Sequence, residues 1–96
     1  MSLVFIPYIV FTNLIIATLS FNAVTPIIVT NLDTNHTRTI VTDEDGWLEF
    51  DARPHDRYMF ETPEHLRYCF TIPTDDDGNG IEEIWNDTAF ECPDVQ

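Results

Sequence analysis

Thr42-Asp43-Glu44-Asp45-Gly46-Trp47-Leu48-Glu49-Phe50-Asp51 passes from a cluster of turn formers straight into an alternating pattern. Asp45-Gly46 is a strong hairpin signal, because Gly takes positive φ without steric cost and Asp braces the turn through its side chain. Upstream, Thr37-Arg38-Thr39-Ile40-Val41 is rich in β-branched residues and reads as a strand. Downstream, Leu48 and Phe50 fall on one face while Glu49 and Asp51 fall on the other, the period of a half-buried strand. The stretch therefore predicts a hairpin and, built around it, a small antiparallel β-sandwich of the all-β class.

Further strands follow on either side. Val24 to Leu32 reads as a first strand, with Pro26 near its start where a missing donor is tolerated, and Asp33-Thr34-Asn35-His36 as the turn after it. In Arg57-Tyr58-Met59-Phe60-Glu61 the two aromatic residues share a face opposite the charged ones, before Thr62-Pro63-Glu64 breaks the strand. Leu66 to Ile72 alternates most cleanly of all, placing Leu66, Tyr68, Phe70 and Ile72 on a core face, and Pro73 stops it. One core is expected from Leu48, Phe50, Tyr58, Phe60, Tyr68 and Phe70.

Several of these residues also carry a resemblance. Val29-Thr30-Asn31-Leu32-Asp33-Thr34, Thr37-Arg38-Thr39, Thr42-Asp43-Glu44-Asp45-Gly46 with Leu48 and Phe50, and then Pro54 and Tyr58 resemble the carboxypeptidase regulatory-like domain. They are similar also to the related B-type repeats of Gram-positive surface adhesins. The likeness covers about 35 of 96 residues, and Ala52 to Tyr58 lacks the glycine of the family's Pro-Gly turn. It implies an Ig-like or transthyretin-like sandwich serving as a non-catalytic module of surface proteins, and it bears on fold more than on function.

Ninety-six residues allow one domain. Seventeen acidic residues against four Arg, with no Lys, give a formal charge of -13. No basic patch could offset phosphate repulsion, so nucleic acid is excluded as a partner. Cations, a basic protein partner, self-assembly or a salty medium fit better. No charged side chain precedes Asp33, and Leu3 to Leu19 is almost continuously apolar. Residues 1–20 are accordingly expected to be a signal peptide cut near Thr18-Leu19-Ser20, or else an uncleaved membrane anchor, with the β-sandwich domain over 24–96. The alternative is that this segment supplies buried strands, for which Val4, Ile9, Val10, Ile15 and Ile16 have the propensity. In an exported chain Cys69 and Cys92 are expected to pair as a disulfide, two reduced thiols being the alternative.

Asp75-Asp76-Asp77-Gly78-Asn79-Gly80-Ile81-Glu82-Glu83 is the second informative motif. Ca²⁺ takes six to eight oxygens, which loops supply from alternate positions around a glycine turn. Asp75, Asp77 and Asn79 stand at positions one, three and five, the Ile81 carbonyl at seven and Glu83 at nine, while Asn86 replaces the bidentate Glu at twelve. The run is similar to the Asp-rich loops of thrombospondin type 3 repeats, and weak Ca²⁺ binding is expected of it; the plain alternative is a solvated acidic turn. Asn35-His36-Thr37 and Asn86-Asp87-Thr88 are N-glycosylation sequons in predicted loops. His36, His55 and His65 lack metal-ligand spacing, and no serine elbow, Cys/His nucleophile pattern or phosphate loop occurs. The expected function is that of an exported, non-catalytic module for surface structure, adhesion or protein interaction. The alternative is a small secreted acidic effector or inhibitor that binds a basic protein.

Overall fold

The computed structural model describes residues 14–75 and 78–93. Eight strands form a β-sandwich of two sheets. The smaller sheet has the order β4-β1-β7, from Trp47–Ala52, Ile15–Ser20 and Ile81–Glu83; the larger has the order β3-β2-β5-β6-β8, from Thr37–Val41, Pro26–Asn31, Arg57–Glu61, Arg67–Thr71 and Ala89–Phe90. All pairings are antiparallel except β1 with β7. The two inner faces meet in a core that includes Ile15, Ala17, Leu19, Ile27, Val29, Leu48, Phe50, Tyr58, Phe60, Ile72 and Ile84.

The expected hairpin does not form. β3 and β4 lie in different sheets: β3 pairs with β2 and β4 with β1. Thr42 to Gly46 is therefore an arch that carries the chain across the sandwich, and the β1 to β2 connection crosses beside it. The two crossings bond to each other: Gly46 accepts from the Phe21 N–H at 2.7 Å, Asp43 from the Val24 N–H at 3.0 Å, and Thr25 from the Thr42 N–H at 2.9 Å. The Thr42 hydroxyl donates to the Asn22 carbonyl at 2.6 Å and accepts from the Thr25 N–H at 2.8 Å, which explains why a polar side chain is buried there. The Asp43 carboxylate braces the arch, accepting from the Asp45 and Trp47 N–H groups. Gly46 has φ +88°, and a Cβ on it would stand 2.3 Å from the Phe21 carbonyl oxygen. The turn chemistry was correctly legible, but β1 competes for β4 and β2 for β3, and a period-two pattern fits either partner.

Among the described residues the first strand of the sandwich starts at Ile15, ahead of Val24. Ile15–Ser20 is the middle strand of the smaller sheet, with Ile15, Ala17 and Leu19 buried, so the expected cleavage site Thr18-Leu19-Ser20 lies inside β1. Residues 1–13, with Val4, Ile9 and Val10, lie outside the described residues. No described helix is long and apolar enough to cross a membrane.

Burial along β6 is graded. Tyr68 is 41% exposed, Phe70 is half-buried and Ile72 is fully buried, while Leu66, expected in the core, is 53% exposed. The alternation was right, since Tyr68 and Phe70 pair with Phe60 and Tyr58 across the sheet. Three strands do not cover five, however, and the start of β6 projects beyond the smaller sheet. On the opposite face of β6, Cys69 is buried beside its cross-strand neighbour Met59. There Cys69 bonds to Cys92, with 5.3 Å between Cα atoms, and the bridge ties down β8, which is only two residues long. Closing a loop of 23 residues in sequence stabilises by about 3 kcal/mol in the chain-entropy model. Asp33 and Arg57 clamp the β2–β3 turn to β5 at 2.8 Å; the hydrogen bonds from the Arg57 side chain and N–H hold the exposed Asp33 carboxyl below the usual carboxylate range.

Candidate functional site

Where the larger sheet outruns the smaller, the molecule is concave. A groove of about 450 Å³ opens between the end of β1, the hairpin joining β5 to β6, and the segment after β7. Its floor is the edge of the core, formed by the buried Leu19, Ile27 and Ile84. The Phe21 and Tyr68 rings stand 6.1 Å apart along one wall. At the rim Leu66 is 53% exposed and Trp85 62% exposed. Glu64, Glu83 and Asn86 supply polar groups, and no cationic side chain lines the groove among the described residues.

Each rim residue owes its place to local structure. Leu66 and Tyr68 follow the tight β5–β6 turn, in which Thr62 donates its N–H to Leu66 and accepts that of His65, whose φ is +70°. Trp85 caps the 3-10 turn Asn86–Thr88 in an extended conformation, with its carbonyl accepting from the Thr88 N–H and hydroxyl. In the sequence Leu66 and Tyr68 were indistinguishable from core residues, and Trp85 reads there either as a binding-surface aromatic or, in so small a domain, as core or edge packing. Exposed apolar side chains grouped around a concave floor are the usual mark of a binding surface.

The other sequence-derived candidates are dispersed. Asp75 ends the stretch after β6; its Oδ2 accepts from the Gly80 N–H at 2.9 Å, while its Oδ1 is buried with no hydrogen-bond partner. Asn79 Oδ1 accepts from the Ile81 N–H at 3.0 Å. The Gly80 carbonyl accepts from Ile16 and the Thr18 carbonyl from Ile84, so in this parallel pairing the carbonyls of Ile81 and Glu83 turn toward the free edge of β7. Asp77 lies outside the described residues, and among those described no three His, Cys, Asp or Glu side chains form a metal-binding group. The unbonded Asp75 Oδ1 and the edge-facing Ile81 carbonyl fit a hard cation, whereas Asn79 is already engaged.

Asn35, in the β2–β3 turn, and Asn86, at the groove rim, are both exposed. His36, His55 and His65 sit on three different turns; among the described residues only His65 approaches a carboxylate, Glu61 at 3.2 Å. Against family models, curated proteins and solved structures the chain gives no match.

Proposed function

We propose that this protein is an exported, non-catalytic β-sandwich module that binds a protein partner through the groove between the two sheets. The observation that carries this reading is the exposure of Leu66, Tyr68 and Trp85 around a floor of core residues. A free surface of this kind leaves apolar area in water, a cost that binding would remove. The disulfide is compatible with export and adds support. A basic target is the favoured partner: Glu64 and Glu83 border the groove, no described cation opposes them, and the whole chain carries -13. Glycans on Asn35 and Asn86 belong to the same proposal, the second standing at the edge of the groove.

The test is selection of peptides from a displayed random library on the folded, oxidised protein. Binders should combine an aromatic or aliphatic anchor with Lys or Arg. Tyr68→Ala and Trp85→Ala should each weaken them by roughly 10- to 30-fold, as central interface aromatics do. Both variants should keep folding stability within about 1 kcal/mol, because these side chains are exposed. Binders indifferent to both substitutions would remove the groove from consideration.

Calcium enters as the cofactor of this proposal, with Asp75, Asp77, Asn79, the Ile81 carbonyl and Glu83 as its candidate ligands. At one to ten times its dissociation constant, Ca²⁺ should raise stability by about 0.5 to 1.5 kcal/mol at matched ionic strength. Asp75→Asn keeps an oxygen for the Gly80 N–H while deleting the unbonded carboxylate oxygen, and should abolish that gain. An equal Ca²⁺ response in parent and variant reduces the loop to a solvated acidic turn.

A further inference from the structure

Arg38 differs from the other three arginines. Arg53 lies 3.8 Å from Asp56, Arg57 2.8 Å from Asp33 and Arg67 3.7 Å from Glu61, but Arg38 has no carboxylate within ion-pair distance among the described residues. Its guanidinium carbon lies 5.8 Å from the centre of the Phe50 ring. Arg38 belongs to β3 and Phe50 to β4, the edge strands of the two sheets, so the cation is held across the mouth of the sandwich on that side.

At this mouth lies a cavity of about 360 Å³, separate from the groove, bordered by Val29, Asn31, Thr34, His36, Arg38 and Tyr58. No Asp or Glu lines it, in a chain with 17 of them. Tyr58 is 7% exposed, and its hydroxyl, which bonds to no described protein group, reaches solvent in the cavity wall. Asn31 is occupied in holding the wall: Oδ1 accepts from the Asp33 and Thr34 N–H groups at 2.8 and 3.1 Å, and Nδ2 donates to Asp56 at 3.1 Å. The Thr34 hydroxyl oxygen accepts from the His36 N–H at 3.4 Å, which leaves its own proton free to donate. The cavity thus presents a guanidinium, a phenol, a threonine hydroxyl and an imidazole.

We infer that this cavity binds a small monocarboxylate. A guanidinium fork matches the two oxygens of a carboxylate, and the Tyr58 hydroxyl supplies a further donor. A phosphate would bring close to two negative charges against a single arginine, inside the field of a chain at -13. The competing explanation is that Arg38 only caps Phe50 by a cation–π contact. That contact requires no ligand and leaves the guanidinium N–H groups of Arg38 without an acceptor among the described residues.

The test is a ¹H–¹⁵N NMR titration of the full chain with sodium acetate and sodium butyrate, ionic strength being held constant with sodium chloride. Saturable shifts confined to amides near His36, Arg38 and Tyr58 are expected. Arg38→Gln should weaken binding roughly tenfold or more, as loss of a charged hydrogen-bonding partner does. Arg38→Lys should recover little, because it keeps the charge without the fork, and Tyr58→Phe should weaken binding with the fold intact. Arg67→Gln, on the opposite face of the larger sheet, should bind as the parent does. Shifts that never saturate, an Arg38→Gln variant that binds like the parent, or phosphate bound more tightly than acetate would overturn the inference. A dispersed spectrum for each variant guards against reading unfolding as lost affinity.

Discussion

A chain beginning at Phe21 is expected not to fold. β1 is the middle strand of the smaller sheet, paired with β4 over six positions from Ile15↔Ala52 to Ser20↔Trp47 and with β7 over three. Without it β7 and β4 each lose their only described pairing. The buried side chains of Ile15 and Leu19 go with it, each worth about 1.5 to 3 kcal/mol in removal from water. With the lost ladder, the deficit takes up most or all of the roughly 5 to 15 kcal/mol that holds a domain folded. A chain beginning at Leu14 should keep a dispersed NMR spectrum and a cooperative thermal transition, while one beginning at Phe21 should show neither. The comparison also bears on the N-terminus: a leader cut after Ser20 and a domain that needs Ile15–Ser20 cannot both hold. A folded chain from Phe21 would show β1 to be dispensable and restore that cleavage site.

Phe60→Ala should cost about 3 to 5 kcal/mol, the range for emptying a fully packed aromatic site. Phe60 has no exposed surface and stands among the rings of Phe50, Phe70, Phe21 and Tyr58, at centroid distances of 5.7, 6.0, 6.1 and 6.3 Å. Neighbours drawn from both sheets cannot close on the void without separating from one another. Phe50→Ala should fall toward the lower end, since that ring lies at the edge beneath Arg38. Tyr68→Ala, one strand away on the same face, should cost less than about 1 kcal/mol. Denaturant unfolding measures all three. If Tyr68→Ala proves as costly as Phe60→Ala, the groove is closed in solution and the graded burial along β6 is wrong.

Local rules served where a residue's role depends on its neighbours in the chain. Alternation in β4 and β5 placed Leu48, Phe50, Tyr58 and Phe60 correctly, and the disulfide between Cys69 and Cys92 formed as expected. Those rules failed at Leu66 and Tyr68, which share the core-facing pattern but are exposed, with no described strand of the smaller sheet covering them. They were silent on Arg38, whose isolation from every described carboxylate shows only when the described acidic residues have been given positions.

From the amino-acid order alone come the all-β class, five of the strands, the inward and outward faces of three of them, the special backbone at Gly46 and the polarity of the whole surface. These follow from side-chain alternation, β-branching, glycine's access to positive φ and the count of charges. Tertiary structure decided which strands pair, turning an expected hairpin into an arch and Ile15–Ser20 from a leader segment into the centre of a sheet. It also decided where coverage ends, leaving one groove beside β6 and one cavity beneath Arg38. The physical reason is that a strand's period names its buried face without naming the partner that buries it. That choice depends on contacts far apart in sequence: Ser20 meets Trp47, and Ile16 meets Ile81.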